Sequence, residues 1–383
     1  EIQRYTNDQI EDEYDNMSLT LNGSIGDLEV VYAGAYTDRT SDQDVDYTDY
    51  LFVGQYLPYY ICDYYVTYTS FAPGNVPTGT CGAPNLLVDS TTNTEVMTHE
   101  FRVNAPISDT VSLTAGVFFS DLELTELNLF TYPGSVGNDI DYAPNYALTD
   151  ISSTGAINNG GAGWFSAGPY SEPVIFFNDI RRTDKQQGVF GELSIDTSET
   201  SELTVGARWY DIEVDFEGSA NSSFGNGFGN TDQQRFGSNL STQYAPNNAN
   251  GYPDKAQTDG VIGKVTYSWN PSEDIMYYVT WSEGFRPGLL NRPVGRSTAD
   301  GSYTVKPAVD SDEVVNLEFG WKTLLADGRL RFNGSVFMVD VTGLQTTVFD
   351  PSIVTLFFSD NAADAEITGL EGDFIYYPDM DGW

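Results

Sequence analysis

In the stretch Glu313-Val-Val-Asn-Leu-Glu-Phe-Gly-Trp-Lys-Thr323, the residues Val315, Leu317, Phe319 and Trp321 alternate with Asn316, Glu318, Gly320 and Lys322. Successive side chains on a strand point to opposite faces, so period two marks a strand with one apolar and one polar face. The pattern repeats along the chain. In Asp274–Phe285 the residues Ile275, Tyr277, Val279 and Trp281 alternate with Tyr278, Thr280, Ser282 and Gly284. Val111, Leu113, Ala115, Val117 and Phe119 form a third apolar face, and Met17, Leu19 and Leu21 a fourth. Leu330, Phe332, Val336 and Met338 form a fifth.

The links between these strands are of two kinds. Short ones fall at Gly26-Asp27, Asn104–Asp109, Asp196–Ser201, Asn270–Asp274, Ala326–Gly328 and Pro378–Gly382, and are rich in residues that supply turn geometry. Long ones cover about residues 37–94, 123–182, 218–255, 287–310 and 343–363. Tight turns on one side and long loops on the other describe a transmembrane barrel with periplasmic turns and extracellular loops. The fold class expected is all-β, an antiparallel up-and-down transmembrane barrel of about 12 to 14 strands in this chain.

Aromatics near the ends of the apolar faces agree with a lipid-facing wall. Tyr267, Trp269 and Tyr277 lie near one turn, Trp281 and Trp321 further along; girdles at both water interfaces produce this arrangement. The opposite face carries ions, including Arg102, Glu192, Lys264, Glu318 and Lys322. In Glu202–Phe216 the apolar phase switches from odd (Leu203, Val205, Trp209) to even (Ile212, Val214, Phe216). That predicts either a bulge or a strand projecting beyond the bilayer.

Composition removes other classes. Lys and Arg number 17 against 56 Asp and Glu, a formal charge of −39, which leaves no cationic surface for nucleic acid. One His excludes a His-rich metal cage and leaves a single candidate base for a nucleophile pair. No enzyme activity or cofactor is indicated. No run of 18 apolar residues is present to make a transmembrane helix. Aromatics at 14% are too many for a disordered acidic chain, and 37 Gly with 25 Tyr suit strands and turns. Neither end resembles a natural terminus, and both read as cuts inside a longer chain.

The loops hold the candidate sites. Cys62 and Cys81 share the first long loop, and an even Cys count in an exported chain reads as a disulfide. Such a bridge contributes about 3 kcal/mol through chain entropy. Tyr59, Tyr60, Tyr64 and Tyr65 in the same loop are rigid aromatics with polar tips, suited either to ligand contact or to packing the loop on itself. Trp164, in a Gly-rich stretch, is a further contact candidate. Asp42, Asp44 and Asp46 alternate, but position 47 is Tyr where a Ca²⁺ loop of the EF-hand type needs Gly. A looser Ca²⁺ site or a solvated acidic loop remains. His99 is in phase with Met97, Phe101 and Val103, as an interfacial surface residue would be.

Six segments, in order along the chain, resemble TonB-dependent outer-membrane receptors. Tyr277-Tyr-Val-Thr-Trp-Ser-Glu-Gly-Phe-Arg-Pro-Gly is similar to the family's late-barrel "Y…EGFRPG" segment, placing Glu283, Gly284, Phe285, Arg286 and Pro287. Pro307 through Lys322 resembles "kPE…nyEiGlK", with Glu318, Gly320 and Lys322 in place. Leu325 through Phe337 resembles the following hairpin, and Asn361 through Glu371 resembles "NagdaeikGvE". Upstream, His99-Glu-Phe-Arg-Val is similar to "qEfRl", and Gln187-Gly-Val-Phe-Gly-Glu to "vFge". No segment resembles the family's plug or TonB box.

The resemblance implies part of a large plugged barrel in a Gram-negative outer membrane. It implies energised uptake of a scarce bulky nutrient: a siderophore–iron complex, cobalamin, haem or an oligosaccharide. Implied partners are outer-membrane lipid and lipopolysaccharide, the ligand, and the TonB-ExbB-ExbD complex acting through the plug. Strong negative charge disfavours anionic ligands unless salt screens it, although Arg286, Arg292 and Arg296 supply local positive charge. The alternatives are a passive porin-like or structural barrel and a secreted β-sheet binding module.

Overall fold

Strand after strand of the period-two pattern becomes a long antiparallel ladder in the computed structural model. The structure describes residues 4, 6–48, 86–131, 174–222, 237–350, 352–353 and 357–378. The strands are β1 (Gln9–Ile25), β2 (Leu28–Asp46), β3 (Leu87–Ser108), β4 (Val111–Thr131), β5 (Val174–Ser198), β6 (Ser201–Ser222) and β7 (Gly237–Asn239). A single helical turn, α1 (Leu240–Gln243), follows. Then come β8 (Ala256–Ser272), β9 (Ile275–Arg286), β10 (Leu289–Leu290), β11 (Ala308–Val309), β12 (Asp312–Leu325), β13 (Leu330–Val348) and β14 (Phe358–Tyr376).

Twelve strands form one sheet in the order β1-β2-β3-β4-β5-β6-β8-β9-β12-β13-β14, with β7 added to β6. Every pairing is antiparallel between chain neighbours or across a short excursion, so the sheet is up-and-down throughout. Among the described residues no pairing joins β1 to β14, and the curved wall is not closed. A β10–β11 ribbon stands apart from it.

The register shows which side is which. Leu193 pairs with Val205, Val205 with Val265, Val265 with Trp281, Trp281 with Leu317 and Leu317 with Met338. All lie on one face, and all are open on their outer side: Val205 is 42% exposed, Leu317 47% and Met338 40%. One step along, Glu192, Gly206, Lys264, Ser282 and Asn316 form the opposite line. The apolar flanks therefore do not meet in a dry centre. Each large apolar side chain left in water forfeits roughly 1.5–3 kcal/mol of burial. A continuous row of them across six strands needs an apolar solvent, as the outer face of a membrane barrel has.

The two buried apolar clusters are small and lie toward the long-loop end. One joins Ile180, Tyr210, Ile212 and Val214 to Leu240, Tyr244, Ala256 and Leu290; the other joins Val305, Ile353 and Phe358. The first explains the phase switch in β6. Its pairing with β8 runs without a slip from Ser201 to Val214, so there is no bulge. The strand instead rises past the apolar band, where its outer positions become Asp211, Glu213, Asp215 and Glu217. Its inner positions turn apolar because α1 and the segment after it fold against them.

Strand lengths exceed the apolar alternation that marks them. β5 has 25 residues and β3 and β6 have 22 each, against roughly 9–11 needed to cross hydrocarbon. The ladders thus run on into segments that read as loops by hydropathy alone, such as 37–46, 87–94, 123–131 and 343–348. The short links are tight, as at Gly26-Asp27, where Gly26 has φ 64°. The Ala326–Arg329 link places Ala326 and Asp327 at φ 56° and 55°, the left-handed region that side chains other than Gly enter at a cost.

Candidate functional site

The long-loop end is organised around a clamp built from the EGFRPG segment. Arg286 ends β9 and Asp312 begins β12, directly opposite in register. The Asp312 carboxylate accepts the Arg286 backbone N–H at 3.1 Å, its Nε–H at 2.8 Å and its Nη2–H. It also accepts the backbone N–H of Gln345 on β13 at 3.2 Å. Arg286 Nη2 donates in turn to the Gln345 carbonyl, while the Gln345 amide donates to the carbonyls of Pro287 and Asp310, each at 2.9 Å. One buried carboxylate thereby ties three strands at the rim. Burial alone would raise the Asp312 pKa, but the Arg286 guanidinium and the two backbone N–H groups hold it below the usual carboxylate value.

Behind the clamp lies a folded loop cluster. Asn291 is buried; its amide donates to the carbonyls of Lys306 and Ser359 and accepts the Ser359 N–H at 2.7 Å. The Tyr244 hydroxyl donates to the carbonyls of Asn291 and Pro307, and burial pushes its pKa well up. Ser241 accepts the N–H of Gly218 at 2.8 Å, pinning α1 to β6. Two cavities flank the cluster on the inner side. One of about 200 Å³ is lined by Arg182, Phe216, Asn291, Arg292 and Phe358 among others. The other, about 350 Å³, is lined by Ser120, Asp184, Gln186, Arg208, Phe285 and Pro287 among others.

The family-motif residues take structural positions. Glu283 accepts the N–H of Gly263 at 2.8 Å, just beyond Lys264 and Ser282, where the β8–β9 ladder stops. Phe285 stacks on Tyr210 with centroids 3.7 Å apart. The Tyr278 ring lies across Gly320, where a Cβ would collide with it, and its hydroxyl donates to Glu318. Gly284 and Lys322 stand on the inner side of their strands. Arg286 is thus held by Asp312 and Gln345, with its side chain 54% exposed.

Of the remaining candidate residues, Tyr59, Tyr60, Tyr64, Tyr65, Trp164, Cys62 and Cys81 lie outside the described residues. Asp42, Asp44 and Asp46 belong to β2 and not to a loop. Their spacing along a strand keeps the three carboxylates apart. Asp42 accepts from Thr91 Oγ1, and Asp46 accepts the N–H groups of Thr6 and Thr48. Among the described residues no group of acidic, His or Cys side chains has the geometry to hold a metal ion. His99 pairs through Nδ1 with the Tyr32 hydroxyl at 2.8 Å on the outer face. Asn291 and Tyr244 lie in none of the segments that resemble the family, and Asp312 and Gln345 are not singled out within theirs; the hydrogen bonds across the fold reveal all four.

The comparisons agree with this geometry. The family model described as "TonB dependent receptor-like, beta-barrel" matches residues 3–383. No curated protein sequence matches the chain. Among solved structures, the ferric yersiniabactin uptake receptor FyuA of Yersinia pestis is similar with a TM-score of 0.56 at 12% identity, covering 95% of this chain and 40% of that one. The siderophore receptor PiuA of Acinetobacter baumannii gives 0.51 at 14%, covering 96% and 44%. The FrpB iron transporter of Neisseria meningitidis gives 0.51 at 14%, covering 96% and 42%. This chain therefore spans less than half the length of these neighbours. It belongs to the TonB dependent receptor-like β-barrel family, whose members are β-barrels of the Gram-negative outer membrane.

Proposed function

We propose that this chain forms wall and rim of an outer-membrane receptor that imports a scarce, bulky ligand with energy delivered through TonB. The observation that carries the reading is the two-faced sheet: an apolar row left open on one side, and a polar row with its folded loop cluster on the other. The long-loop end is taken as extracellular and the tight turns as periplasmic. Lipid and lipopolysaccharide contact the outer wall, and the TonB-ExbB-ExbD complex acts through a plug carried elsewhere in the longer protein. A ferric chelate is the first cargo to assay, because FyuA, PiuA and FrpB are iron or siderophore proteins. Cobalamin, haem and oligosaccharides follow. The tyrosines at 59, 60, 64 and 65 and Trp164 are proposed as ligand-contacting loop residues, and Cys62–Cys81 as a disulfide.

The deciding experiment uses a strain lacking the full-length receptor, complemented and then deprived of TonB. Uptake of the cargo should need both proteins. Uptake that persists without TonB would instead support a passive barrel, a reading the loop cluster packed against the inner wall disfavours. For the disulfide, alkylation followed by intact-mass analysis should find no free thiol; two alkylated cysteines would remove it.

A further inference from the structure

Arg208 stands on the inner face of β6, opposite Phe190 on β5 and Ile262 on β8. Its guanidinium carbon sits 5.1 Å from the centre of the Phe118 ring. Beneath it is Gly188, where a Cβ would come within 3.1 Å of Nε. The side chain is therefore laid flat over a glycine and held against an aromatic ring, which fixes the plane of the guanidinium. Its Nε–H is buried and meets no acceptor among the described residues.

This is unusual in a chain with 56 carboxylates and 17 cations, where most described cations on the wall have found an acid. Arg181 pairs with Glu217, Arg182 with Asp184, Lys264 with Glu192 and Arg102 with Glu100. The acid that lines the Arg208 cavity, Asp184, is already held by Arg182 through two hydrogen bonds of 2.7 and 2.6 Å. A buried donor without an acceptor is costly, and native structures keep few of them. The cavity of about 350 Å³ in front of Arg208 is large enough for a carboxylate and the atoms that carry it.

We propose that Arg208 is the anchor of a carboxylate-binding site on the lumen wall, with Gln186 and Ser120 as neighbouring polar groups in the same cavity. The guanidinium edge takes a planar two-oxygen acceptor in two parallel hydrogen bonds. The carboxylate comes either from a diffusible ligand or from a polypeptide segment that enters the lumen. The inference rests on the inner face enclosing a lumen, which detergent partition of the same preparation tests separately.

The test uses the full-length receptor purified in detergent. Phenylglyoxal labelling of Arg208 is followed by peptide mass spectrometry, in buffer and with malonate as the probe. A diffusible source predicts labelling in buffer that slows roughly ten-fold when malonate stands at about ten times its dissociation constant. A polypeptide source predicts protection already in buffer, and a lower unfolding midpoint for Arg208→Met than for Phe118→Leu, which removes the ring but keeps the charge. Any other combination overturns the proposal. The plainest is labelling indifferent to malonate together with an Arg208→Met protein as stable as the wild type. If the protein also fails to enter detergent, the lumen reading itself has failed.

Discussion

Asp312 accepts from both Arg286 and Gln345 where three strands meet, and the rim should fail when it is changed. Asp312→Asn keeps the shape but loses the charge that holds Arg286. The expected loss is about 1–3 kcal/mol, read as a lower temperature for the shift from folded to unfolded band in the full-length protein. An unchanged midpoint would mean the clamp is incidental. The clamp also sets a pH dependence. Its carboxylate has a pKa below the ordinary 3.8 in the folded protein, so its contribution is complete above that value. It is lost as pH falls through the depressed folded value. Acid titration of the unfolding midpoint should show a component below pH 3.8 that Asp312→Asn lacks. Ala326 offers a change in the other direction. At φ 56° it pays the left-handed penalty, so Ala326→Gly should stabilise the turn by about 0.5–1 kcal/mol.

Single strands carry the distinction between lipid and lumen. Leu317 and Asn316 are adjacent on β12 and face opposite ways. Leu317→Arg should cost about 2–4 kcal/mol if the residue lies near the bilayer midplane, and Asn316→Arg far less. Folding of the full-length protein into vesicles, titrated with urea, measures both. Equal effects would argue against a membrane wall. The strands themselves were legible because alternation is a local property: Val315 to Lys322 states its two faces without any partner. Their upper ends were not, because β2 from Asp38 to Asp44 and β3 from Asp89 to Asn93 are polar on both faces. In water a strand above the bilayer needs no apolar side, so hydropathy stops reporting it while the backbone ladder continues. The phase switch in β6 was visible in the sequence. A strand rising past the bilayer was one of its two readings; the packing partners were not legible, since Ile212 and Val214 meet Leu240 and Tyr244, which lie outside the strand.

Across the whole molecule, the charge and the fold are divided by face. The apolar band is open on its outer side, the clamp and loop cluster gather at one end, and the acidic positions of β6 sit above the band. The family-motif residues lie in the wall: Glu283 at the end of a ladder, Gly320 beneath Tyr278, Arg286 where three strands meet. Motifs of this kind report the scaffold, which is why they named a family and left the cargo open.

The most direct measurement places a nitroxide at Leu317 and, separately, at Asn316, in full-length protein lacking Cys62 and Cys81 and reconstituted in lipid vesicles. Collision rates with oxygen, which concentrates in lipid, and with a water-soluble nickel chelate are then compared. A lipid-facing Leu317 and a lumen-facing Asn316 predict that the first label meets oxygen and is shielded from nickel, while the second shows a higher nickel share. A Leu317 label shielded from both, or open to nickel in preference to oxygen, would contradict a membrane-spanning wall.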